Sequence, residues 1–134
     1  MNGYRGLNTD FSDAEQPALS LIQQLIDRHF AIWNDPDSVG RASAYAALYH
    51  DDVLIADYAG KAVGHDALGR KIDEVQAKHP LFRFTPDAPV WNHGVGRVTW
   101  AYGPVDNPQQ VRGEDIFTVI DEKIASLRIF IDRR

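Results

Sequence analysis

Residues 111–131 read VRGEDIFTVIDEKIASLRIFI. Two apolar-rich runs, Val111 to Ile120 and Ile124 to Ile131, flank the short polar link Asp121-Glu122-Lys123. Side-chain character alternates with a period of two, the signature of a strand with one buried face, and a link this short suits an antiparallel hairpin. The same period extends back toward Pro80, giving strand candidates at 81–85, 90–93 and 96–102, with a longer loop from Gly103-Pro104 to Gln110. No helix-length segment separates these strands. Strands that follow one another directly form an antiparallel sheet, which favours an α+β fold over a parallel α/β sheet.

Before Pro80 the period is helical. Leu19, Ile22, Ile26, Phe30 and Trp33 recur at three- and four-residue steps, which predicts a helix from about Ala14 to Trp33. Asn34-Asp35-Pro36-Asp37 ends it. Asp37 or Ser38 caps a second helix, about Val39 to Tyr49, with Ala42, Tyr45, Leu48 and Tyr49 on one side. His50-Asp51-Asp52 reads as a turn, Val53 to Tyr58 as a strand, and Gly60 to Gly64 as a loop. A third helix begins near Asp66 and stops before Pro80, with Leu68, Ile72 and Val75 on its apolar face. Residues 1–14, rich in Gly, Asn and Asp, read as a flexible arm, and residues 15–134 as one domain.

The chain of 134 residues is long enough to bury a core. Its 14 basic and 19 acidic residues leave a net charge of −5, with the basic ones scattered, which argues against nucleic-acid binding. There is no cysteine, so thiol catalysis and disulfides are excluded. No apolar run approaches the roughly 18 residues of a membrane span. The polar N-terminus has no signal-peptide character, so a cytoplasmic location is expected. The five histidines lack metal-site spacing, Gly94-Val95-Gly96 reads as a turn, and no Gly-x-Ser-x-Gly occurs. None of the chemistry considered below requires a cofactor.

Five segments carry a resemblance. They are Leu48-Tyr49-His50-Asp51-Asp52-Val53; Ala56-Asp57-Tyr58 with Gly64-His65-Asp66-Ala67-Leu68; Phe82-Arg83-Phe84; Gly113-Glu114-Asp115-Ile116-Phe117; and Lys123-Ile124 to Asp132. In this order they resemble the NTF2-like superfamily, especially its SnoaL-like and ketosteroid-isomerase-like members, over about residues 15–132. The resemblance implies an α+β cone of order α-α-β-α-β-β-β-β. Its curved, mostly antiparallel sheet wraps around three helices and encloses a pocket for a small hydrophobic molecule. It also implies a homodimer formed through the outer sheet face. Members include isomerases, dehydratases, polyketide cyclases and epoxide hydrolases, and others only bind, so the fold does not settle the function.

Three residues are candidates for catalysis. Asp57 ends the first strand in an apolar stretch, and the resemblance gives it the role of general base. A carboxyl beside apolar walls has its pKa raised, which suits that work. The alternative is a turn cap or a partner for a cation. Asp115 shares a strand face with Phe117 and Val119. The resemblance implies a neutral carboxylic acid there, donating to a developing oxyanion. The alternative is a salt bridge with Arg128. His29 stands where the isomerases carry a tyrosine donor; a neutral imidazole donates one hydrogen bond, and Tyr45 and Tyr49 are other donors.

Candidate ligand contacts are Trp33, Tyr49, Phe84, Trp91, Trp100, Phe117, Arg128, Phe130 and Asp132, largely aromatic positions suited to a planar guest. Arg128 with Asp132 could instead orient a water, as in epoxide-hydrolysing relatives. Three readings stay open: a cofactor-independent isomerase or lyase using carboxylate proton transfer, a non-catalytic ligand-binding or accessory protein, and a structural dimer.

Overall fold

The structure, a computed structural model, describes residues 16–132. The arm expected over residues 1–14 lies outside the described residues. Two helices come first, α1 (Gln16–Trp33) and α2 (Ser38–Leu48). Strands β1 (Tyr49–Asp57) and β2 (Gly60–Val63) follow, then helix α3 (His65–Lys78). Five strands close the chain: β3 (Arg83–Pro86), β4 (Val90–Asn92), β5 (Val95–Gly103), β6 (Val111–Ile120) and β7 (Lys123–Ile131). The strands form one curved, unclosed sheet in the order β2-β1-β7-β6-β5-β3, with β4 also paired to β5. Among the described residues only β1 and β7 pair in parallel. The α+β cone that the resemblance implies is the fold of this chain.

The three helices supply one side of the core and the concave sheet face the other. Ile22, Leu25 and Ile26 of α1, Leu68 and Ile72 of α3, and Val98, Phe117 and Leu127 of the sheet are all buried. α2 begins at Asp37, whose carboxylate accepts from the Val39 amide, so of the two expected caps it is Asp37 that serves. Among the described residues no helix is long and apolar enough to cross a membrane.

Two local expectations give way. His50-Asp51-Asp52 is part of β1, which starts at Tyr49 without a turn. Its polarity marks solvent-facing residues where the β1–β7 register shifts, between Tyr49 and Leu54. The expected Gly60–Gly64 loop is largely β2, an edge strand folded back on β1. It is four residues long and mostly exposed, so it carries no apolar alternation by which to recognise it. The last hairpin turns on Asp121 and Glu122 alone, both at positive φ (52° and 64°), while Lys123 pairs with Ile120. Two left-handed central residues are what a tight right-twisted hairpin demands.

Two glycines let aromatic rings lie flat across the sheet. Gly113 on β6 faces Trp100 on β5, and Gly96 on β5 faces Phe117 on β6. A Cβ on Gly113 would stand 2.5 Å from the indole ring and 2.6 Å from the Phe130 carbonyl oxygen. Gly113→Ala is therefore expected to lose about 1–3 kcal/mol in urea melts, the usual range for overpacking. A loss below about 0.5 kcal/mol would mean that Trp100 can move aside freely.

Candidate functional site

Between α1, α3 and the concave sheet face lies a cavity of about 290 Å³. Aromatic rings form much of its wall. Phe84 from β3 stacks on Tyr102 with ring centroids 4.2 Å apart and meets Trp100 and Trp33 edge-on at 5.2 and 6.0 Å. Phe30, Val75, Val111, Ile129 and Ile131 add apolar surface. The wall carries four charged side chains, Asp115, Asp57, Lys71 and Lys78, in two different settings.

Asp115 is 4% exposed and sits mid-strand on β6. The Trp100 indole Nε1–H donates to its Oδ1 at 2.9 Å, and His29 Nε2 faces its Oδ2 at 3.4 Å. The other His29 nitrogen, Nδ1, lies 2.6 Å from the Tyr49 hydroxyl. His29 and Tyr49 are themselves buried. Burial pushes the Tyr49 phenol well above its ordinary value, so the hydroxyl keeps its proton. One arrangement satisfies every group: Tyr49 O–H donates to Nδ1, and Nε2–H points at the Asp115 carboxylate. The Trp33 indole N–H lies close enough to Tyr49 to favour the phenolate slightly but is not in hydrogen-bonding geometry with any partner. Tyr49, His29, Asp115 and Trp100 thus form a connected polar line through an apolar wall.

Asp57 is different. It ends β1 on the inner face, partly exposed. Its Oδ2 accepts from Lys71 Nζ at 2.8 Å and its Oδ1 from the Ala59 amide at 2.9 Å. Burial pulls its pKa up, but the Lys71 ammonium and the Ala59 and Gly60 amides outweigh it and hold the carboxyl below its ordinary value. This overturns the expectation of a raised Asp57 pKa: the apolar stretch around it in sequence does not include the α3 lysine that folds against it.

Of the expected residues, Asp57, Asp115, His29, Trp33, Phe84 and Trp100 line one cavity. Tyr49 stands behind His29, and it begins β1 rather than ending α2. Phe117 is buried against Gly96 in the core, off the cavity wall. Trp91 packs partly buried against that core. Arg128, Phe130 and Asp132 are exposed and do not line the cavity. The register explains it: Asp115 pairs with Ile129, so its neighbours on the inner face of β7 are the odd residues, and Arg128 belongs to the convex side. Arg128 is therefore no partner for Asp115. Phe130, 41% exposed, lies on the convex side with Val90 and Val95, the side through which the resemblance implies pairing. Lys71, Val75 and Lys78 of α3 and Ile129 of β7 also line the cavity; of these only Val75 is named above, and for the apolar face of its helix alone. Their spacing of four and three residues puts the first three on one helix face, a signal that reads simply as amphipathic until the cavity is known. Among the described residues no group of three His, Asp or Glu side chains converges to hold a metal.

The sequence from residue 26 to 127 matches the SnoaL-like domain family. The chain belongs to that family. No curated protein matches it in sequence. A proposed isomerase of the SnoaL-like family from Agrobacterium tumefaciens has a similar structure (TM-score 0.78, 19% identity, 85% of this chain and 99% of that one). A proposed ketosteroid isomerase from Kribbella flavida is also similar (TM-score 0.65, 16% identity, 86% and 80%). A de novo designed protein with a curved β-sheet is similar to this SnoaL-like chain as well (TM-score 0.67, 12% identity, 84% and 86%). At these identities the likeness is one of fold.

The Asp57–Lys71 pair has a testable pH signature. Because the folded carboxyl titrates below its ordinary value of 3.8, the stability it contributes is complete above that value and disappears as pH falls through the lower folded one. Lys71→Met should thus destabilise the neutral protein by on the order of 1 kcal/mol. The gap from wild type should close in urea melts taken progressively below about pH 4. A gap that stays constant with pH would mean that Lys71 acts through packing alone.

Proposed function

We propose that this SnoaL-like protein is a cofactor-independent isomerase or lyase that moves a proton on a small hydrophobic carbonyl compound, with Asp115 as the proton-transferring group. The observation that carries this reading is a buried carboxylate in the wall of an aromatic cavity. Two of its lone pairs face protein donors and the remainder are available to a guest. An enclosed apolar setting strengthens the electrostatic action of such a group.

The roles follow from the partners. Asp115 takes a proton from a carbon next to the ligand carbonyl. An isomerase returns it to another carbon of the same molecule, and a lyase releases it with a leaving group. His29 has both ring nitrogens engaged, so it acts as a positioning residue that holds Asp115 and passes its orientation from Tyr49. Tyr102 is the available phenol donor for the developing oxyanion. It lines the cavity, burial keeps its proton on, and its own bond to the Val75 carbonyl is long at 3.5 Å. Asp57, held ionised by Lys71, is a weak base and sits outside this scheme.

The test is hydrogen–deuterium exchange of the methyl protons of naphthyl methyl ketone, followed by NMR. Asp115→Asn should slow protein-catalysed exchange by about 100-fold or more, the usual share of general base catalysis. Asp57→Asn should leave it within a few-fold of wild type. Loss of exchange in Asp57→Asn with retention in Asp115→Asn would transfer the base to Asp57. Bound ketone exchanging no faster than in buffer would make the protein a binding module.

A further inference from the structure

The four charged side chains of the cavity wall do not cancel in pairs. Lys71 is matched by Asp57 at 2.8 Å and by Glu74 at 3.8 Å. Asp115 has no lysine or arginine of the described residues beside it; its side-chain contacts are the Trp100 indole and His29 Nε2. The Lys78 ammonium, at the exposed C-terminal end of α3, has no ion pair or hydrogen bond to any described residue. It lies two turns along the same helix face from Lys71, with Val75 between them, and all three reach the cavity. The space therefore has an apolar aromatic body, a carboxylate in its buried depth and an unmatched cation at its mouth.

We propose that the ligand is an aromatic or otherwise planar carboxylic acid of one or two rings, its ring system against the aromatic wall that Phe84 and Trp100 share and its carboxylate received by Lys78. The assignment rests on the proton-transfer reading for the orientation of the guest: the carbonyl-bearing end lies at Asp115. Three physical terms agree on it. The cavity's volume, about 290 Å³, is at the small end of ligand pockets, which run from about 300 to 1,000 Å³, and limits the ring count. Asp115 repels a second anion in the depth, where Coulomb interactions are least screened, and so directs the ligand's charge outward. Lys78 attracts that charge at the rim, and its aliphatic stem extends the apolar wall beside Val75.

The experiment compares naphthoate with naphthyl methyl ketone, which differ by a carboxylate in place of an acetyl group. Binding is read from the fluorescence of Trp33 and Trp100, both in the cavity wall. Naphthoate should bind about three- to fivefold more tightly, the contribution of one partly exposed ion pair. The preference should shrink as ionic strength rises. Lys78→Gln should remove the preference, bringing naphthoate's affinity down to the ketone's; since Lys78 is exposed, the substitution spares the core. Equal affinities in the wild type, a preference that survives in Lys78→Gln, or no binding of either compound would each overturn the proposal. Ketone exchange separates this failure from that of the proton-transfer reading: a ketone that binds and exchanges without any preference for the acid refutes only the acid ligand. Conversely, an acid preference that depends on Lys78, with no exchange of the ketone, refutes only the chemistry.

Discussion

A carboxylate taken out of water costs several kcal/mol unless donors replace the lost hydration. Asp115 is the place where this chain meets that cost, and the way it does so organises the site. The donors come from two other elements, the Trp100 indole of β5 and the His29 imidazole of α1, and through His29 from Tyr49 at the start of β1. α2 runs directly into β1, Leu48 ending the helix and Tyr49 beginning the strand. That junction delivers Tyr49 to the back of His29. A helix docked one turn higher or lower on the sheet would part the imidazole from both the Tyr49 hydroxyl and the Asp115 Oδ2.

The donor from β5 depends on the residues that are missing side chains. On the inner face of β6 the order is Gly113, Asp115, Phe117, and on β5 it is Gly96, Val98, Trp100. Each glycine lies across from an aromatic ring, so the rings cross the strand boundary where two side chains would collide. Trp100 can reach Asp115 because it lies over Gly113, two residues away on the same face. Packing and polar satisfaction are one device here. The indole fills the volume a glycine vacates and at the same time supplies the N–H that the carboxylate needs.

What the sequence disclosed and what it withheld divide along physical lines. Alternation from 81 to 131 and the helical stripes were legible because a core imposes them over many residues. Asp115 on the same face as Phe117 was legible for the same reason. Strand β2 was not, since an exposed edge strand of four residues has no buried face to leave a pattern. The face of Arg128 was not legible either, because alternation gives each strand two faces without saying which one is concave; that depends on the register with β6. The pairing of Asp57 with Lys71 joins residues 14 apart across a strand and a helix, and local sequence carries no sign of it. Arg41, only 2% exposed, escaped notice as well. Its guanidinium bonds the Asp35 carbonyl, Gln76 and Asp73, and so fastens the α1–α2 turn to α3. Nothing near it in sequence marks it as interior.

The two cavity carboxylates show how environment, and not residue type, assigns chemistry. Asp57 and Asp115 line the same space and differ by what surrounds them. Asp57 lies at a strand end, where backbone amides in the following turn are free to donate and an ammonium can approach from water; these stabilise its charge and weaken it as a base. Asp115 lies mid-strand, where the neighbouring amides are committed to the sheet ladder and only side chains can answer it. A mid-strand carboxylate facing a core is therefore expensive to keep for stability alone, since an apolar residue there would avoid the desolvation altogether. On the proton-transfer proposal, what offsets that desolvation is the action of the carboxylate on a guest in the cavity.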